Sequence, residues 1–192
     1  MKHDLTGRQS ITVKRTVKLL TDTLTELLEK EPFEKITVMD ICEKSMIPRA
    51  TFYNYFEDKY DLLNYYWTER KLVITPPENG DENNVEVYML KVLENLIHYL
   101  QDHINTSKNI YEYNSNGQFQ ISLHNYLLKN IQNVIERVPL QDKKKNIPAS
   151  LEAEILTNCA IAVGYWWISH NGETSMENIQ EYLKILINQE IR

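Results

Sequence analysis

The stretch MIPRATFYNYFEDK, Met46 to Lys59, decides the fold of this chain. It holds one arginine, one proline and four aromatic residues in fourteen positions. Phe52 and Phe56 are four residues apart, so one face of a helix carries both, and we expect that face to be buried. The residues between them are too polar for a core helix and too aromatic for an ordinary surface. The outer face of this helix is therefore predicted to bind a partner.

Helix start and stop signals around this stretch predict a group of three helices. Upstream, apolar residues recur every three or four positions from Val13 to Leu27, which indicates an amphipathic helix that ends before Pro32. Thr37 and Asp40 have the spacing of a capping box for a second, short helix. After the turn SMI, Pro48 suits the first turn of the third helix. Two short helices joined by a tight turn and braced by a longer one form a helix-turn-helix arrangement.

The remainder of the chain also has helical periodicity. Helices are predicted over residues 59–74, 85–103, 119–138, 150–170 and 175–191. The polar stretch INTSKNIYEYNSNG, residues 104–117, is predicted to be a short irregular helix or a loop. No segment shows the alternation of a strand, so the predicted fold class is all-α.

The net charge of −6 is unevenly distributed along the chain. Residues 1–60 carry ten basic and ten acidic groups, whereas residues 61–192 carry eleven basic and seventeen acidic groups. Five basic side chains face a single acidic one within the first 18 residues; they are Lys2, Arg8, Lys14, Arg15 and Lys18. This distribution is compatible with a front half that meets phosphates and a back half that does not.

The residue types of the third helix suit DNA. Arginine makes bidentate contacts with guanine, asparagine does so with adenine, and a threonine methyl group meets the thymine methyl. Tyrosine hydroxyls, a lysine at a helix start and a capped helix N-terminus suit phosphate oxygens. The alternative is that these residues are only the outer face of a small helical bundle. The combination of turn, short helix and basic first segment favours DNA.

Residues 33–63 resemble the N-terminal domain of the TetR family of bacterial transcriptional regulators. The resemblance lies in Thr37 opening the second helix, in TFY and YF within residues 51–56, and in Lys59 with Leu62 opening the fourth. It implies a TetR-like fold with a three-helix helix-turn-helix DNA-binding domain over residues 1–63. A helical ligand-binding and dimerisation domain would follow over residues 64–192.

The resemblance assigns roles residue by residue. Residues nearest the bases would be Arg49, Ala50, Thr51 and Asn54. Contacts mainly to the DNA backbone would come from Thr37, Tyr53, Tyr55 and Lys59. It also implies a two-fold dimer that places two such helices in successive major grooves of a palindromic operator.

Two positions depart from the common family pattern. Met46 stands where glycine is frequent, so the turn is either less tightly bent or tolerates a positive φ at some cost. Pro48 stands where a serine often caps the third helix and meets phosphate, and proline can do neither with its side chain.

The second half of the chain is predicted to form the dimer. The run CAIAVGYWWISHN, residues 159–171, is apolar nearly all round, which is more than the outer helix of a monomer needs. Predicted interface residues are Gly164, Trp166, Trp167, Ile179, Leu183 and Leu186. For each tryptophan the alternative is a place in a buried central helix. This ending is similar to a branch of the family linked to dihydroxyacetone kinase operons, some of whose members activate transcription with a protein partner.

The regulating signal is predicted to act on residues 64–192. Aromatic residues with polar tips suit an apolar cavity for a small-molecule effector, and the candidates are Trp67, Tyr99, His103 and Tyr126. The alternative for these residues is plain core. The alternative function is a co-regulator whose second domain binds a partner protein instead of a small ligand.

Other function classes find little support in the sequence. No catalytic motif is present, and His98 and His103 are five residues apart, a poor spacing for sharing a metal, so we expect no enzyme, cofactor or metal site. The apolar run from Cys159 to Ile168 is about half of the ~20 residues that span a bilayer. We expect a cytoplasmic protein without a membrane segment.

Overall fold

A computed structural model describes residues 10–70, 72, 85–137, 147–170, 172–175, 177–179, 181–182 and 185. The helices of these residues are α1 (Ile11–Leu28), α2 (Val38–Ser45), α3 (Arg49–Tyr55), α4 (Lys59–Arg70), α5 (Val85–Asp102), α6 (Ile104–Asn114), α7 (Gln118–Arg137) and α8 (Ala149–Ser169). Residues 177–179, 181–182 and 185 are also helical, and the described residues contain no strand. The predicted all-α class is confirmed.

The sequence explains the start and most of the buried face of α1. The Ser10 hydroxyl caps its start by accepting the Val13 N–H at 3.3 Å. Its buried apolar side chains are Val17, Leu20, Leu24 and Leu28. The predicted stripe had the right spacing, but Leu28 is buried in place of the half-buried Leu27. The helix ends at Leu28, four residues before the proline that was expected to stop it.

The short helix α2 has the predicted capping box. The Thr37 hydroxyl accepts the Asp40 N–H at 3.2 Å, and the Asp40 carboxylate accepts the Thr37 N–H at 2.8 Å. At its other end Met46 has φ 55° and ψ 29°, a left-handed conformation that glycine adopts without steric cost. Of the two alternatives for this turn, the positive φ is therefore the correct one.

Helices α3 and α4 follow at once. The Pro48 carbonyl accepts the Thr51 and Phe52 N–H groups at 2.8 and 3.0 Å, so α3 begins without a side-chain cap. Asp58 caps α4, since its carboxylate accepts the N–H groups of Tyr60 and Asp61 at 2.9 and 2.8 Å. Pro48 thus lies at the start of α3, as predicted.

The described chain forms two compact units. One comprises the described residues of Met1–Arg70 together with Asn105–Leu123, and the other comprises those of Lys71–Ile104 and His124–Arg192. The first unit therefore holds α1 to α4, nearly all of α6 and the start of α7. The predicted domain boundary at residues 63 and 64 stays a prediction.

The stretch 104–117 is more regular than predicted, because α6 is an eleven-residue α-helix. Asn114 ends it and is 1% exposed. Its side-chain amide accepts the Phe33 N–H at 2.7 Å and donates to the carbonyls of Leu28 and Glu31 at 3.0 and 3.3 Å. These bonds satisfy backbone groups at the end of α1 and just after it, which a polar sequence pattern does not reveal.

In the second unit, α5 and α8 pack closely. Gly164 lies against α5: a Cβ atom there would come within 3.3 Å of the Leu96 side chain. A side chain at this position would require the Leu96 side chain to shift by a few tenths of an ångström. None of the helices in the described part of the chain combines the length and apolar content that crossing a membrane requires.

Candidate nucleic-acid interface

Helix α3 separates its residues by face. Phe52 and Phe56 are fully buried, with ring centroids 5.7 Å apart, as their spacing predicts. Arg49, Ala50 and Asn54 are exposed. The flanking positions are half-buried, and they are Thr51, Tyr53 and Tyr55. The four residues predicted to lie nearest the bases are therefore accessible on one short helix.

Arg49 leans along this outer face toward Tyr53. Its guanidinium donates to the tyrosine hydroxyl at 3.5 Å and lies 5.9 Å from the ring centroid. The hydrogen bond to Tyr53 raises the pKa of Arg49, so the side chain stays cationic at every physiological pH. A guanidinium has five N–H donors, and this bond uses one of them. Arg49 therefore lies beside Tyr53 with donors left for a base edge.

Thr37 is exposed, but its hydroxyl is engaged within α2. It donates to the Asp40 carboxylate at 2.6 Å while accepting the Asp40 N–H. The hydrogen bond from Thr37 holds the pKa of Asp40 below its ordinary value of 3.8. A DNA phosphate would have to compete with the Asp40 carboxylate for the hydrogen of the Thr37 hydroxyl. The phosphate contact of Thr37 therefore stays a prediction.

Lys59 lies at the start of α4, and its ammonium group is occupied. It donates to the backbone carbonyls of Phe33, Glu34 and Ile36 at 2.9, 3.1 and 2.7 Å. Partial burial lowers the pKa of Lys59, although the nearby acidic side chains oppose this. The sequence suggested a contact to a DNA phosphate. It gave no signal for these three acceptors, which lie more than twenty residues upstream.

The basic side chains of the first segment have different surroundings. Lys14 and Arg15 are exposed near the start of α1. Lys18 makes a surface ion pair with Asp22 at 2.9 Å. Lys2 and Arg8 lie outside the described residues. Two of the five predicted basic residues are thus described and available to attract phosphates.

The predicted effector residues are divided between the two units. Trp67 is buried in the first unit, where its indole N–H donates to the Ser122 hydroxyl at 3.0 Å and its ring packs on Phe119. In the second unit Tyr99 stacks on His103, one turn away, with ring centroids 4.6 Å apart. Tyr126 is half-buried, and burial raises its pKa. Among the four, the described contacts join Tyr99 and His103.

The predicted dimer residues divide between the inside and the outside of the subunit. Trp166 is 40% exposed, whereas Trp167 is 1% exposed and donates its indole N–H to the Thr174 carbonyl at 3.0 Å. Gly164 and Ile179 also face the interior, which leaves them little surface to offer a second copy. Leu183 and Leu186 lie outside the described residues. Among the predicted interface residues that the structure describes, Trp166 is therefore the one whose side chain is exposed to solvent.

Two apolar residues of α8 are exposed without a signal in the sequence. Leu151 and Ile155 are exposed one turn apart on this helix. They lie in the predicted helix over residues 150–170 and were given no role, because an apolar residue gives no local sign of being exposed. Within the described residues, no group of three or more His, Cys, Asp and Glu side chains is placed to hold a metal ion.

Comparison with protein families matches both halves of the chain. Residues 20–66 match the family described as bacterial regulatory proteins, tetR family. Residues 88–189 match the family described as transcriptional regulator C-terminal region. The second match covers more than half of the chain.

A curated relative and two solved structures are similar to this chain. The HTH-type dhaKLM operon transcriptional activator DhaS of Lactococcus lactis subsp. lactis (strain IL1403) is 28% identical over 88 residues. That stretch covers 44% of this chain and 46% of DhaS, so the chain spans about half the length of the curated relative that it matches.

The solved structures share the fold. The dihydroxyacetone kinase operon activator DhaS aligns with a TM-score of 0.52 at 20% identity, over 92% of this chain and 96% of that one. A TetR transcriptional regulator from Streptococcus agalactiae 2603V aligns with a TM-score of 0.60 at 20% identity, over 92% and 95%. Together with the exposed helix α3 and the family matches, these findings show that the chain belongs to the TetR family of bacterial transcriptional regulators.

Proposed function

We propose that this regulator binds double-stranded DNA as a homodimer, with α3 of each subunit in a major groove. The observation that carries the proposal is the outer face of α3, where Arg49, Ala50 and Asn54 are exposed over a buried pair of phenylalanines. A major groove admits one α-helix, and a helix with polar tips on one face and apolar anchors on the other fits it. In this proposal residues 1–63 read DNA and residues 64–192 form the dimer and receive the signal.

In this proposal different side chains of α3 recognise different bases. Arg49 would bind guanine O6 and N7, and Asn54 would bind an adenine edge. Thr51 would meet a thymine methyl group, and the small Ala50 lets the helix backbone approach the bases closely. Around these base contacts the phosphate backbone would be held by Thr37, Tyr53 and Tyr55.

The dimer is proposed to form through the outer face of α8. Leu151, Ile155 and Trp166 are exposed on this helix, and Tyr182 and Ile185 are exposed in the helical residues that follow it. Apolar side chains on the surface of one subunit lose contact with water when a second copy covers them. A two-fold dimer would place the two α3 helices on half-sites about one helical turn apart or a multiple of it.

Regulation is proposed to act through residues 64–192 by a population shift. A small-molecule effector, or a partner protein in the alternative, would favour one separation of the two α3 helices over another. The relative DhaS is named a transcriptional activator, and we propose that this chain also regulates an operon in the cytoplasm. In the alternative the purified protein would not read its site until the partner protein is present, so a requirement for an added protein separates these alternatives.

The test is selection of bound fragments from the source genome by the purified protein, followed by titration of the tightest site against salt. We expect one palindromic site that binds two subunits, with a steep fall in affinity as salt rises. Sequence-blind, weak binding by a stable dimer would contradict the proposed reading by α3. A dimer that reads the site only after a partner protein is added would support the co-regulator alternative.

A further inference from the structure

We infer that Lys59 is a positioning residue for DNA reading, which holds the start of α2 in place and does not bind a phosphate. This inference rests on the proposed function of α3. It reverses the role that the family resemblance gives to Lys59, and it follows from where its ammonium group lies.

The hydrogen-bonding capacity of the Lys59 ammonium group is fully used within the protein. An ammonium group can donate three hydrogen bonds and can accept no hydrogen bond. Its Nζ atom has three backbone carbonyl oxygens within 3.1 Å, those of Phe33, Glu34 and Ile36. The same atom lies 4.6 Å from the centroid of the Phe33 ring, and a cation in that position is attracted by the ring. Each hydrogen therefore has an acceptor inside the protein.

The three carbonyls belong to the segment that leads into α2, residues 29–37, which we call the entry loop. The carbonyl of Ile36 lies one residue before Thr37, the N-cap of α2. On α6 and α7, Asn114 accepts the Phe33 N–H, and Glu34 accepts the Gln118 N–H at 2.7 Å. The entry loop is thus tied both to α4 and to the α6–α7 turn.

The position of the entry loop directly affects the orientation of α3. Helix α2 has eight residues, and the tight turn at Met46 joins it to α3. In so short a path few dihedral angles can absorb a shift of the α2 start. A loosened entry loop would therefore spread the orientations of α3, and specific contacts to base edges require one orientation.

A phosphate contact by Lys59 would compete with this arrangement. The ammonium would have to leave acceptors in a region where Phe33 and Ile36 are fully buried. Hydrogen bonds to a charged donor stabilise more than neutral ones, and buried carbonyls that lose a partner destabilise the fold. Contact with DNA would replace these bonds instead of adding to them.

Two variants separate positioning from a phosphate contact. Lys59→Met keeps most of the aliphatic stem and removes the charge. Lys59→Arg keeps the charge, but a planar guanidinium cannot point three donors at carbonyls that converge on one atom. An arginine remains an excellent phosphate ligand. The matched control is Lys35→Met, which removes an exposed lysine from the same entry loop.

The first measurement is amide hydrogen exchange of the full-length protein without DNA. The reporters are the amides of Lys35, Ile36, Thr37, Asp40 and Ile41, whose hydrogen bonds form the loop and the first turn of α2. We expect exchange about tenfold faster in both Lys59 variants and unchanged exchange in the control. Unchanged exchange in the Lys59 variants would overturn the inference, whatever happens on DNA.

The second measurement is binding of the selected operator and of unrelated DNA at several salt concentrations, well below the midpoint of thermal unfolding. We expect both Lys59 variants to lose about tenfold in the ratio of specific to non-specific affinity, with the slope of log K against log salt unchanged. A variant that is merely less stable would lose both affinities in proportion to its folded fraction.

Opposite results on DNA would also overturn the inference. If Lys59→Met lowers the slope by about 0.9 and Lys59→Arg restores it, Lys59 binds a phosphate. If the wild-type protein selects no operator at all, the proposed function fails by itself. The exchange measurement then decides alone whether Lys59 anchors the entry loop.

Discussion

A pair of neighbouring aromatic residues in α3 and the two tryptophans of α8 are placed by different rules. In α3 the neighbours are Phe52, which is buried, and the half-buried Tyr53. In α8 they are Trp166 and Trp167, one exposed and the other buried. In α3 the polar hydroxyl of the tyrosine is enough to mark the outer residue. In α8 both residues are of the same type, so nothing local distinguishes them.

The difference follows from the role that we propose for each outer face. In the proposed function the outer face of α3 is polar because base edges and phosphates are polar. The outer face of α8 is apolar, with Leu151, Ile155 and Trp166, as a face that a second copy covers would be. The buried and exposed faces of α3 can therefore be assigned from its amphipathic pattern. In α8 both faces are apolar, so the pattern does not distinguish them.

The largest expected effect tests the buried face of α3. Phe56→Ala should lower the free energy of unfolding by roughly 3–5 kcal/mol, because it truncates a fully buried ring. The control Asn54→Ala, on the exposed face, should stay within about 0.5 kcal/mol. Urea unfolding of both variants measures this. Equal stability of the two would mean that the faces of α3 are assigned the wrong way round.

The second prediction tests the two tryptophans of α8 against each other. Trp167→Ala should destabilise the subunit by about 3–5 kcal/mol, because the ring is buried against its own chain beside Gly172. Trp166→Ala should leave the fold intact and raise the Kd of the dimer by about tenfold or more. Urea unfolding and analytical ultracentrifugation separate the two effects. If Trp166→Ala destabilised the fold and Trp167→Ala weakened only the dimer, the inner and outer faces of α8 would be assigned wrongly.

The third prediction concerns the entry loop that carries α2 and α3. Asn114→Ala should cost roughly 2–4 kcal/mol, because it leaves one N–H and two carbonyls of the chain without their partner. The matched control is Asn109→Ala, an exposed position on the same helix. The comparison uses urea unfolding at neutral pH. If Asn114→Ala costs no more than Asn109→Ala, the amide does not hold the loop.

The fourth prediction tests the polar face of α3 on DNA. Arg49→Ala should weaken operator binding by about 1–3 kcal/mol and relax the preference at one base position. Lys14→Ala, an exposed lysine of α1, is the control for a contact without sequence information. Binding to a set of single-base operator variants provides the measurement. A loss that is uniform across that set would make Arg49 a phosphate contact instead.

The smallest effect concerns pH and the start of α2. Folding lowers the pKa of Asp40, mainly through the hydrogen bond from Thr37, so its stabilisation is present above the unfolded pKa, near 3.8. It is lost as pH falls through the lower folded pKa. Asp40→Asn should therefore be less stable than the wild type by about 0.5–1 kcal/mol at pH 7, and this difference should shrink below pH 4.

A double-mutant cycle with Thr37→Ala checks the cause of this pH dependence. Removing the threonine hydroxyl should reduce the pH-dependent part of the Asp40→Asn effect, because that hydroxyl is the largest cause of the lowered pKa. The measurement is urea unfolding of the four proteins between pH 3 and pH 7. An undiminished pH dependence in the Thr37→Ala background would assign the effect to another group.

The sequence by itself determined the local features: the all-α class, the capping box of Thr37 and Asp40, and the buried face of α3. Each of these depends on residues within one or two helical turns, where spacing fixes geometry. The positive φ at Met46 was one of two predicted alternatives, and α6 was the element that the polar pattern left undecided between helix and loop.

Tertiary structure alone decided which long-range partners meet. Lys59 binds carbonyls 23 to 26 residues away, and Asn114 binds groups 81 to 86 residues away. It also decided that Trp167 faces inward and Trp166 outward. The physical reason is the same in each case: the sequence states what a side chain can bind, and only the packing of distant segments brings a partner within reach.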